Sequence, residues 1–499
     1  MAGTLMAAKG LAVLGTGSDV GKSTVVAGLC RVLSDAGVSV APFKAQNMAL
    51  NSYVTEDGGE IGRAQAFQAA AARVRPEVGM NPVLLKPTGD RSSQVIVMGR
   101  ATQTMEARQY YESKSSLRPV IEGALDGLRS RFDAVVVEGA GSTAEINLLE
   151  QDSTNITLAR RMGIPAVLVG DIDRGGVFAS LYGTIALLPE ELAAGIGGYI
   201  INKFRGDPAL LDPGVARLEA LTGRRCYGVL PYRSGAAIDG EDSLDVGVST
   251  RGEPGGLEVA VVALPRISNY TDVDPLRFEP DISLRWVRHP AELGEPDLVV
   301  LPGTKATVGD LAWLRESGWA DSLARHRDRG GHTLGICGGY QMLGSAILDS
   351  IESGVGEVAG LGWIGVRTEF QPRKVVRRRQ GFALGHPVAG YQIHHGRVLP
   401  EPGAPVWLAA GEPGAEEAEG VADRDGRTLG TTLHGVFESD AFRGAFFAEL
   451  ARRRGRRFRS SGIAYAQRRE DYIDELADAL RAHLDLEALW RLMEGGGTR

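Results

Sequence analysis

Residues 11–24 read LAVLGTGSDVGKST: a short apolar run, a glycine-rich loop and the first residues of a helical stretch. The run at 11–15 has no polar residue, which is typical of a parallel strand buried on both faces. Strand-length apolar runs recur with helical stretches between them, and this alternation predicts a doubly wound α/β domain. The further strands are predicted at 134–137, 166–169 and 198–201, and the helices at 24–36 and 62–73.

A second α/β domain is predicted after a polar stretch rich in glycine and proline, VSTRGEPGG at 248–256. The chain has 499 residues, more than one core usually holds. New strand-length apolar runs begin at 258, 297 and 333, and a helical pattern begins near 468. We therefore expect two doubly wound α/β domains and a C-terminal helical tail, divided as 1–247, linker 248–256, 257–454 and tail 455–499.

The composition bounds the class of protein. A net charge of −7 and a pI near 5.8 argue against a general nucleic-acid binder, which needs a basic surface. The chain has only three cysteines, an odd and small number that does not suggest a disulfide framework. This favours the reducing cytoplasm as its location. We expect no membrane association, because no apolar run is long enough to span a bilayer and residues 1–10 do not form a signal peptide. The basic run at 373–379 is interpreted as a solvated loop.

The loop at 15–24 has the residues that bind nucleotide phosphates. Its backbone N–H groups and the start of the next helix would point at phosphate. Lys22 would reach the terminal phosphates, and the Ser23 hydroxyl would ligate Mg²⁺. The usual pattern has glycine where this chain has Thr16, so the loop is a variant. A glycine-rich turn that binds nothing is the alternative.

A carboxylate at the end of a second predicted strand is a candidate metal ligand. Residues 134–141 read AVVVEGAG, which places Glu138 where ligands bind in open α/β sheets. With the Ser23 hydroxyl it would hold Mg²⁺. The alternative is an acid at a strand end that is simply exposed to solvent.

Residues 333–344 read TLGICGGYQMLG and predict a strand, a tight turn and a helix. Such a turn exposes the side chain at its apex, which here is Cys337. A helix N-terminus below the sulfur favours the thiolate, so Cys337 is a candidate nucleophile. The alternative is a buried structural cysteine, which the flanking glycines disfavour.

The phosphate loop resembles that of the dethiobiotin synthetase-like family, whose loop also runs G-T-x-x-x-V-G-K. The resemblance implies an ATP-dependent synthetase domain and a second acidic Mg²⁺ ligand at Glu60, for which an ordinary acid at a helix start is the alternative. It also implies that Asn202 contacts adenine, with Lys203 beside it. The implied ATP-binding residues are Thr16, Gly17, Gly21, Lys22, Ser23, Thr24, Asn202 and Lys203.

The cysteine turn resembles that of the class I glutamine amidotransferases. PGTKAT at 302–307 matches the oxyanion-side loop of that family, and LHGVFES at 433–439 supplies His434 as the base for Cys337. The usual acid two residues after the histidine is replaced by Val436. Glu438 is a possible substitute, so the third member of the site stays open. The implied oxyanion and glutamine-binding residues are Gly303, Gly338, Gly339 and Gln341.

His394, in GYQIHHG at 390–396, lies in another stretch that matches one branch of these amidotransferases, the cobyric acid synthases of cobalamin biosynthesis. It would either shape the glutamine pocket or be a packed structural histidine. Longer matches to this branch carry the assignment. They are PFKAQNMALNS at 42–52, NPVLLKPTGDRSSQVIVMG at 81–99, GDIDRGGVFAS at 170–180 and INKFRGD at 201–207.

This resemblance implies a glutamine-hydrolysing carbon–nitrogen ligase that uses ATP, Mg²⁺, L-glutamine and a corrinoid. It would amidate the b, d, e and g carboxylates of (adenosyl)cobyrinic acid a,c-diamide. The a,c-diamide synthase of the same pathway is the first alternative, and a partner-binding P-loop ATPase with an amidotransferase-like module is a more distant one. Cations and amides suit a substrate with many carboxylates, although each could equally stabilise a loop. The candidates are Lys44, Gln46, Asn47, Asn51, Lys86 and Arg91.

Overall fold

The computed structural model of the protein describes residues 9–89, 91–233, 238, 249–411 and 414–495. The predicted boundary at 247–248 lies outside these residues, as do residues 1–8 and the tail residues 496–499. The chain forms two α/β domains followed by helices, so the predicted fold class is confirmed.

The strands of the first domain are numbered here in chain order within the described residues. They are β1 (Lys9–Gly15), β2 (Val40–Lys44), β3 (Gln46–Met48), β4 (Ser52–Val54), β5 (Glu60–Gly62), β6 (Val83–Pro87), β7 (Ser92–Val97), β8 (Arg100–Glu106), β9 (Ala134–Glu138), β10 (Ala166–Asp171), β11 (Ile196–Phe204) and β12 (Arg225–Pro231). The helices of this domain are α1 (Lys22–Asp35), α2 (Arg63–Ala71), α3 (Ala107–Arg129), α4 (Ile156–Arg161), α5 (Val177–Leu187), α6 (Glu190–Ala193) and α7 (Asp212–Thr222).

The main sheet of the first domain is parallel, with strand order β12-β11-β10-β1-β9-β2. Leu11 and Val13 pack into the core on one face of β1, and Ala12 and Leu14 into the core on the other. A strand covered on both faces by helices needs this unbroken apolar sequence. Because β1 is central, the loop after Gly15 lies in the middle of the edge where parallel strands end.

Smaller sheets are inserted between β2 and α3. Strands β3, β6, β7 and β8 form one sheet, and β4 pairs with β5 in another. These short strands carry residues 46–62 away from the main sheet. Strand β4 lies against the second domain, where Val54 joins an apolar cluster with Tyr391 and Ile393.

The second domain has its own set of strands and helices in the described residues. The strands are β13 (Leu257–Val262), β14 (Ile282–Val287), β15 (Leu298–Leu301), β16 (His332–Ile336), β17 (Ala346–Asp349), β18 (Gly356–Ala359), β19 (Val366–Ala383), β20 (His386–Pro400), β21 (Val406–Ala410), β22 (Glu417–Ala422) and β23 (Thr428–Thr431). The helices are α8 (Thr307–Glu316), α9 (Trp319–Asp328), α10 (Gly338–Leu343) and α11 (Asp440–Arg454). Within the described residues of both domains, short 3₁₀ helices lie at Val78–Met80, Leu149–Gln151, Pro208–Leu211, Tyr270–Phe278, Pro290–Glu292 and Val436–Glu438.

The second sheet is parallel at one side and mostly antiparallel at the other. Strands β14, β13, β15, β16 and β23 pair in parallel, and the sheet continues through β22, β21, β19, β17 and β18. The nucleophile turn after β16 therefore lies within the parallel part, with β15 on one side and β23 on the other. Thr250, in the predicted linker, pairs with Leu284 of β14, so this end of the linker runs along the second sheet.

The long hairpin of β19 and β20 corrects the interpretation of residues 373–379, which lie inside β19 and are not a loop. The prediction is wrong because the basic side chains have partners across the sheet. Arg377 donates to Gln392 on β20, and Arg379 forms an ion pair with Glu417 on β22. Charge density alone does not separate a solvated loop from a strand with paired side chains.

The C-terminal segment returns to the first domain as α12 (Tyr465–His483) and α13 (Leu486–Met493). Ile473, Leu476 and Leu480 of α12 are buried in the same core as the apolar face of α1. Arg31 of α1 forms ion pairs with Glu470 and Asp474 on α12. The tail therefore packs on the helix that follows the phosphate loop. None of the described helices is long and apolar enough to cross a membrane.

Candidate active sites

Cys337 occupies a tight turn between β16 and α10. Its backbone has φ 50° and ψ −106°, a conformation that residues with a side chain rarely adopt. The turn is held because the Cys337 N–H donates to the Thr431 carbonyl at 2.8 Å, and because Gly339 lets the helix approach β15. A Cβ on Gly339 would lie 2.0 Å from the Leu301 carbonyl oxygen. Strain of this kind is typical of a nucleophile turn.

His434, the predicted base for Cys337, contacts an acid from a distant part of the chain. Nδ1 of His434 donates a hydrogen bond to Oδ2 of Asp272 at 2.7 Å. The other carboxylate oxygen accepts the Gly435 N–H at 2.8 Å, so Asp272 holds both the ring and its backbone. With Nδ1 engaged, Nε2 is the nitrogen left for the sulfur of Cys337.

The charges around His434 favour its protonated form. Burial lowers the pKa of this imidazole, but the interactions with Asp272 and Cys337 outweigh burial and raise the pKa to about 10. A cationic imidazole beside a thiol stabilises the thiolate, which is the nucleophilic form. The site is therefore arranged for nucleophilic attack by sulfur.

The predicted oxyanion residues surround the same turn. Gly338 is the first residue of α10, where helical N–H groups have no acceptor within the helix. Gly303 lies directly against the imidazole, and a Cβ there would be 2.8 Å from Cε1 of His434. The Gly339 N–H donates to the Pro302 carbonyl at 3.1 Å, so this N–H is not available to an oxyanion. Gly339 instead allows α10 to pack closely against β15. Gln341 accepts a hydrogen bond from Thr307 at 3.0 Å and lines the cavity beside Cys337.

A small cavity of about 30 Å³ lies beside Cys337 and is lined in part by Lys86 of the first domain. It adjoins a groove of about 900 Å³, and Lys305 and Glu352, which form an ion pair, line both spaces. His394 also lines the cavity. Burial lowers the pKa of His394 to about 3, and its Nδ1 donates to the Gly396 carbonyl at 2.6 Å. The unprotonated Nε2 is then a hydrogen-bond acceptor at the cavity.

The phosphate loop of the first domain is held from several sides. Nζ of Lys22 donates to the carbonyls of Gly17 at 2.7 Å and Gly141 at 3.0 Å, so the lysine lies across the loop. Gly21 has φ 96° and is the N-cap residue of α1, and a Cβ there would lie 2.1 Å from Nδ2 of Asn202. The loop therefore closes around Lys22 with the N-terminus of α1 beside it, an arrangement that favours anions.

Glu138 is completely buried at the end of β9, below the phosphate loop. Its Oε1 accepts hydrogen bonds from the Ser23 hydroxyl at 2.7 Å and from Lys44 at 2.8 Å. Its Oε2 accepts from Gln68 of α2 at 2.5 Å. The β2–β9 register places Lys44 directly beside Glu138. The structure thus gathers a hydroxyl, a carboxylate and a lysine at the edge where the loop lies.

The remaining residues predicted to bind ATP border this loop. Nδ2 of Asn202 donates to the Val20 carbonyl at 2.9 Å, and Lys203 forms an ion pair with Asp171 at 2.8 Å. Thr16 donates its N–H to the Val169 carbonyl at 3.0 Å, which ties the loop to β10. Thr24 lies in the first turn of α1. Asn202 thus stabilises the phosphate loop through its hydrogen bond to Val20.

Comparison with known proteins assigns the chain to a family. Residues 11–244 match the CobQ/CobB/MinD/ParA nucleotide binding domain, and residues 258–442 match the CobB/CobQ-like glutamine amidotransferase domain. A cobyric acid synthase of Streptomyces coelicolor is 51% identical over 98% of this chain and 97% of its own length. One from Frankia casuarinae is 49% identical over 98% and 97%, and one from Rhodococcus jostii 50% identical over 97% and 96%. The chain belongs to the cobyric acid synthase family.

Among solved structures, one described as a glutamine amidotransferase covers 39% of this chain and 98% of its own, with 20% identity and a TM-score of 0.31. At that score the alignment adds nothing to the assignment. The fold class rests on the topology of the two sheets and on the matched domains of the cobyric acid synthase family.

Sequence reasoning missed Asp272. It lies 162 positions before His434, in the 3₁₀ helix Tyr270–Phe278 that follows β13. Glu438, the possible substitute, has other partners, because it contacts Arg63 at 2.5 Å and Arg469 at 3.1 Å. No spacing rule connects Asp272 to His434, since the two meet only through the fold. The acid that contacts His434 therefore comes from the segment after β13.

Glu60 does not fit the expected role of a second acidic Mg²⁺ ligand. It is completely buried, and its oxygens accept ion pairs from Lys86 at 2.9 Å and Lys374 at 2.5 Å. Burial alone would raise the pKa of Glu60, but the two lysines outweigh burial and hold the pKa far below its usual range. Lys374 belongs to β19 of the second domain, so Glu60 forms a charged contact between domains.

The candidate corrinoid-binding residues fall into separate groups. Asn47 donates to Gln65 at 2.9 Å, Asn51 accepts from Tyr270, and Lys86 pairs with Glu60; all are buried in internal networks. Lys44 is buried beside Glu138. Gln46 is partly exposed and accepts from Tyr110 at 2.6 Å, and Arg91 is exposed.

Proposed function

We propose that this chain is an ATP- and glutamine-dependent ligase that amidates the b, d, e and g carboxylates of cobyrinic acid a,c-diamide in cobalamin biosynthesis. The observation that carries the proposal is the presence of both a Cys337–His434–Asp272 triad and a phosphate loop. They lie in one chain that is half identical to cobyric acid synthases over nearly all of its length. We assign glutamine hydrolysis to residues 257–454 and synthesis to residues 1–247.

The glutaminase half-reaction uses the triad. The Cys337 sulfur attacks the side-chain amide carbon of glutamine, and the carbon–nitrogen bond breaks as the imidazolium of His434 gives its proton to the leaving nitrogen. Ammonia leaves, and His434 then takes a proton from the water that hydrolyses the glutamyl thioester. The Gly338 N–H and the loop at Gly303 are placed to hold the oxyanion. Asp272 keeps the ring in the orientation that both proton transfers need.

The cavity suits the amide of glutamine. Nε2 of His394 is an acceptor there and can receive an amide N–H. The Lys305–Glu352 pair at the junction with the larger groove offers one charge of each sign for the amino-acid end of glutamine. We propose that glutamine enters through that groove.

The synthetase half-reaction uses the edge below the phosphate loop. A substrate carboxylate attacks the γ-phosphorus of ATP, ADP leaves, and ammonia displaces phosphate from the resulting acyl phosphate. The loop amides and Lys22 neutralise the phosphate charge. Lys44, buried next to Glu138, is placed to hold the carboxylate or the transferred phosphoryl group. Gln46 and Arg91 remain proposed corrinoid contacts.

The residues at Glu138 fit a Mg²⁺ site. Mg²⁺ prefers oxygen ligands and takes one or two from protein and others from phosphate and water. The Ser23 hydroxyl and the Glu138 carboxylate converge within 2.7 Å and would supply them. When bound, the ion would screen the charge of the phosphates. Within the described residues no cluster of three His, Cys, Asp or Glu forms a metal site, and we leave Glu60 out of the proposed ligands.

Amidation of the corrinoid is tested by mass spectrometry. The protein is incubated with cobyrinic acid a,c-diamide, ATP, Mg²⁺ and glutamine that is isotopically labelled at the amide nitrogen. We expect stepwise gain of labelled amides at the remaining carboxylates. Amidation of cobyrinic acid itself, without amidation of the a,c-diamide, would instead identify an a,c-diamide synthase. ATP hydrolysis that depends on a protein partner and not on corrinoid would favour a partner-binding ATPase.

The cysteines bear on where the protein works. Cys30, Cys226 and Cys337 are all free thiols, which fits the reducing cytoplasm as the location of the protein.

A further inference from the structure

The 3₁₀ helix that carries Asp272 has an unusual start. Its N-cap residue, Asn269, has φ 53°, in the left-handed region that asparagine tolerates. An asparagine at this position usually accepts a hydrogen bond from its own helix. Here the side chain does not cap the helix. Its Oδ1 instead accepts the backbone N–H of Ser52, in the first domain, at 2.8 Å.

The cap of this helix comes from the first domain. Oδ1 of Asn51 accepts the backbone N–H of Tyr270, the first residue of the helix, at 3.2 Å. The N–H groups of a first turn have no acceptor within the helix, so an outside acceptor stabilises the helix start. Asn51 and Asn269 are each only 2% exposed. We call this exchange of two side-chain-to-backbone bonds the Asn51–Asn269 clasp.

The Asn51–Asn269 clasp lies next to the groups that hold His434. Asn269 lines the cavity beside Cys337, and Asp272 follows three residues later. The strand after Asn51 supports the other side of the ring as well. Val54 packs with Tyr391, whose ring stacks on His434 with 5.4 Å between centroids.

We propose that Asn51 is a positioning residue of the glutaminase site, supplied by the synthetase domain. By capping the helix of Asp272 from outside, it fixes the carboxylate against Nδ1 of His434. Glutamine hydrolysis then depends on a residue of the domain that uses the ammonia. The inference rests on the proposed function, because glutamine hydrolysis is its readout.

The test uses three full-length variants with ATP and cobyrinic acid a,c-diamide present. Asn51→Ala removes the cap and should lower kcat for glutamate release about tenfold or more, while amidation with saturating ammonia stays at the wild-type rate. Asn51→Asp keeps an acceptor oxygen and should recover most of kcat. Arg481→Ala, which removes a surface ion pair between α12 and Asp35 of α1, is the matched control and should leave kcat unchanged.

A pH profile separates positioning from general stability. The titratable groups that face His434 include Asp272, Cys337, His394 and Tyr391, whose ring stacks on the imidazole. Because Asp272 raises the pKa of His434, a displaced Asp272 should move the basic limb of kcat/KM for glutamine to lower pH. Asn51→Ala should therefore shift that limb in the direction expected of Asp272→Asn. A residue that only stabilises the fold would lower kcat and leave the limb in place.

Several results would overturn the proposal. One is a wild-type kcat for glutamine in Asn51→Ala, and another is a lowered kcat with an unmoved limb. A third is a raised KM for the corrinoid with both nitrogen sources, which would make Asn51 a substrate-binding residue. Failure of the proposed function is a different result, because the wild-type protein itself would then release no ammonia from glutamine.

Discussion

Nη2 of Arg63 lies 2.5 Å from Oε1 of Glu438, so an ion pair joins the first residue of α2 to the turn that follows His434. Arg469 of α12 contacts the other oxygen at 3.1 Å. Two domains and the tail thus meet at one carboxylate. Burial alone would raise the pKa of Glu438, but the two guanidinium groups outweigh burial and lower the pKa to about 2.

Glu438→Gln should destabilise the protein by about 2 kcal/mol at neutral pH, because hydrogen bonds between charged groups are lost. The pKa of Glu438 is lower in the folded than in the unfolded state, where it is about 4.3. Its contribution is therefore full above that value and is lost as the pH falls through about 2. Thermal unfolding of both proteins across this range should show a difference in Tm that shrinks with acidification.

Glu449→Gln is the control for this measurement. Glu449 has ion pairs with Arg452 and Arg453 on the surface of α11, and exposed pairs of this kind contribute little. Its Tm should be close to that of the wild type at neutral pH. An equal loss of stability in both variants would contradict a special role for the Arg63–Glu438 contact.

Asp272→Asn should lower kcat for glutamine hydrolysis on the order of a hundredfold or more, because the amide does not fix the imidazole in its catalytic orientation. Without the negative charge, burial lowers the pKa of His434, and the imidazolium is lost at lower pH. The basic limb of kcat/KM should move to lower pH, as followed by glutamate release. Asp274→Asn, two residues away, is the control; equal losses in both would point to damage of the helix.

Cys337→Ala should abolish amidation with glutamine, since no thioester can form. Amidation with a high concentration of ammonia should continue near the wild-type rate, because the phosphate loop is untouched. Cys226→Ala serves as the control and should keep both activities. Loss of both activities in folded Cys337→Ala protein would contradict the assignment of glutamine hydrolysis and synthesis to separate domains.

Lys22→Ala should stop amidation with either source of nitrogen. The ammonium group of Lys22 lies across the phosphate loop. Loss of a positive charge that stabilises the transferring phosphoryl group lowers the rate by several orders of magnitude. Formation of ADP in the presence of corrinoid and ammonia is the measurement. Lys9→Ala, at the surface, should react normally; normal turnover in Lys22→Ala would place ATP elsewhere.

Leu480→Ala should lower the free energy of unfolding by roughly 2–5 kcal/mol, because it opens a cavity between α12 and α1. Denaturant unfolding gives the value. Leu221→Ala removes the same atoms from an exposed position on α7 and should change stability by less than about 0.5 kcal/mol. Similar values for both would mean that the tail contributes little to the first domain.

Several parallel strands, such as β1, β9 and β10, were predictable from sequence because each contains an unbroken apolar run, whereas β12 and β14, which contain arginine, were not predicted. Strand β1 and the nucleophile turn at Cys337 lie where their local patterns indicate. The β19–β20 hairpin was not predicted, since it is rich in arginine and its partners lie on other strands. A local hydrophobic pattern predicts which residues of a strand or helix are buried. It does not predict which side chains pair across a sheet.

The sites divide in the same way. Ser23, Glu138, Cys337 and His434 belong to short motifs, and the structure brings Ser23 to Glu138 and His434 to Cys337. Asp272 and the partners of Glu60 are joined only by the tertiary fold, so no spacing could reveal them. Asn51 belongs to a motif that the sequence singles out, but its contact with Tyr270 spans 219 positions.

Because α12 packs on α1, and α13 on β1 and β12, the core of the first domain includes residues from the end of the chain. Domains fold from the N-terminus as they leave the ribosome. The phosphate-loop domain emerges first, yet the apolar face of α1 stays open until residues 465–493 have been made. The ribosome must therefore translate the whole amidotransferase domain before the nucleotide domain can close. A nascent chain that stalls in between displays an apolar surface to the chaperones that monitor translation.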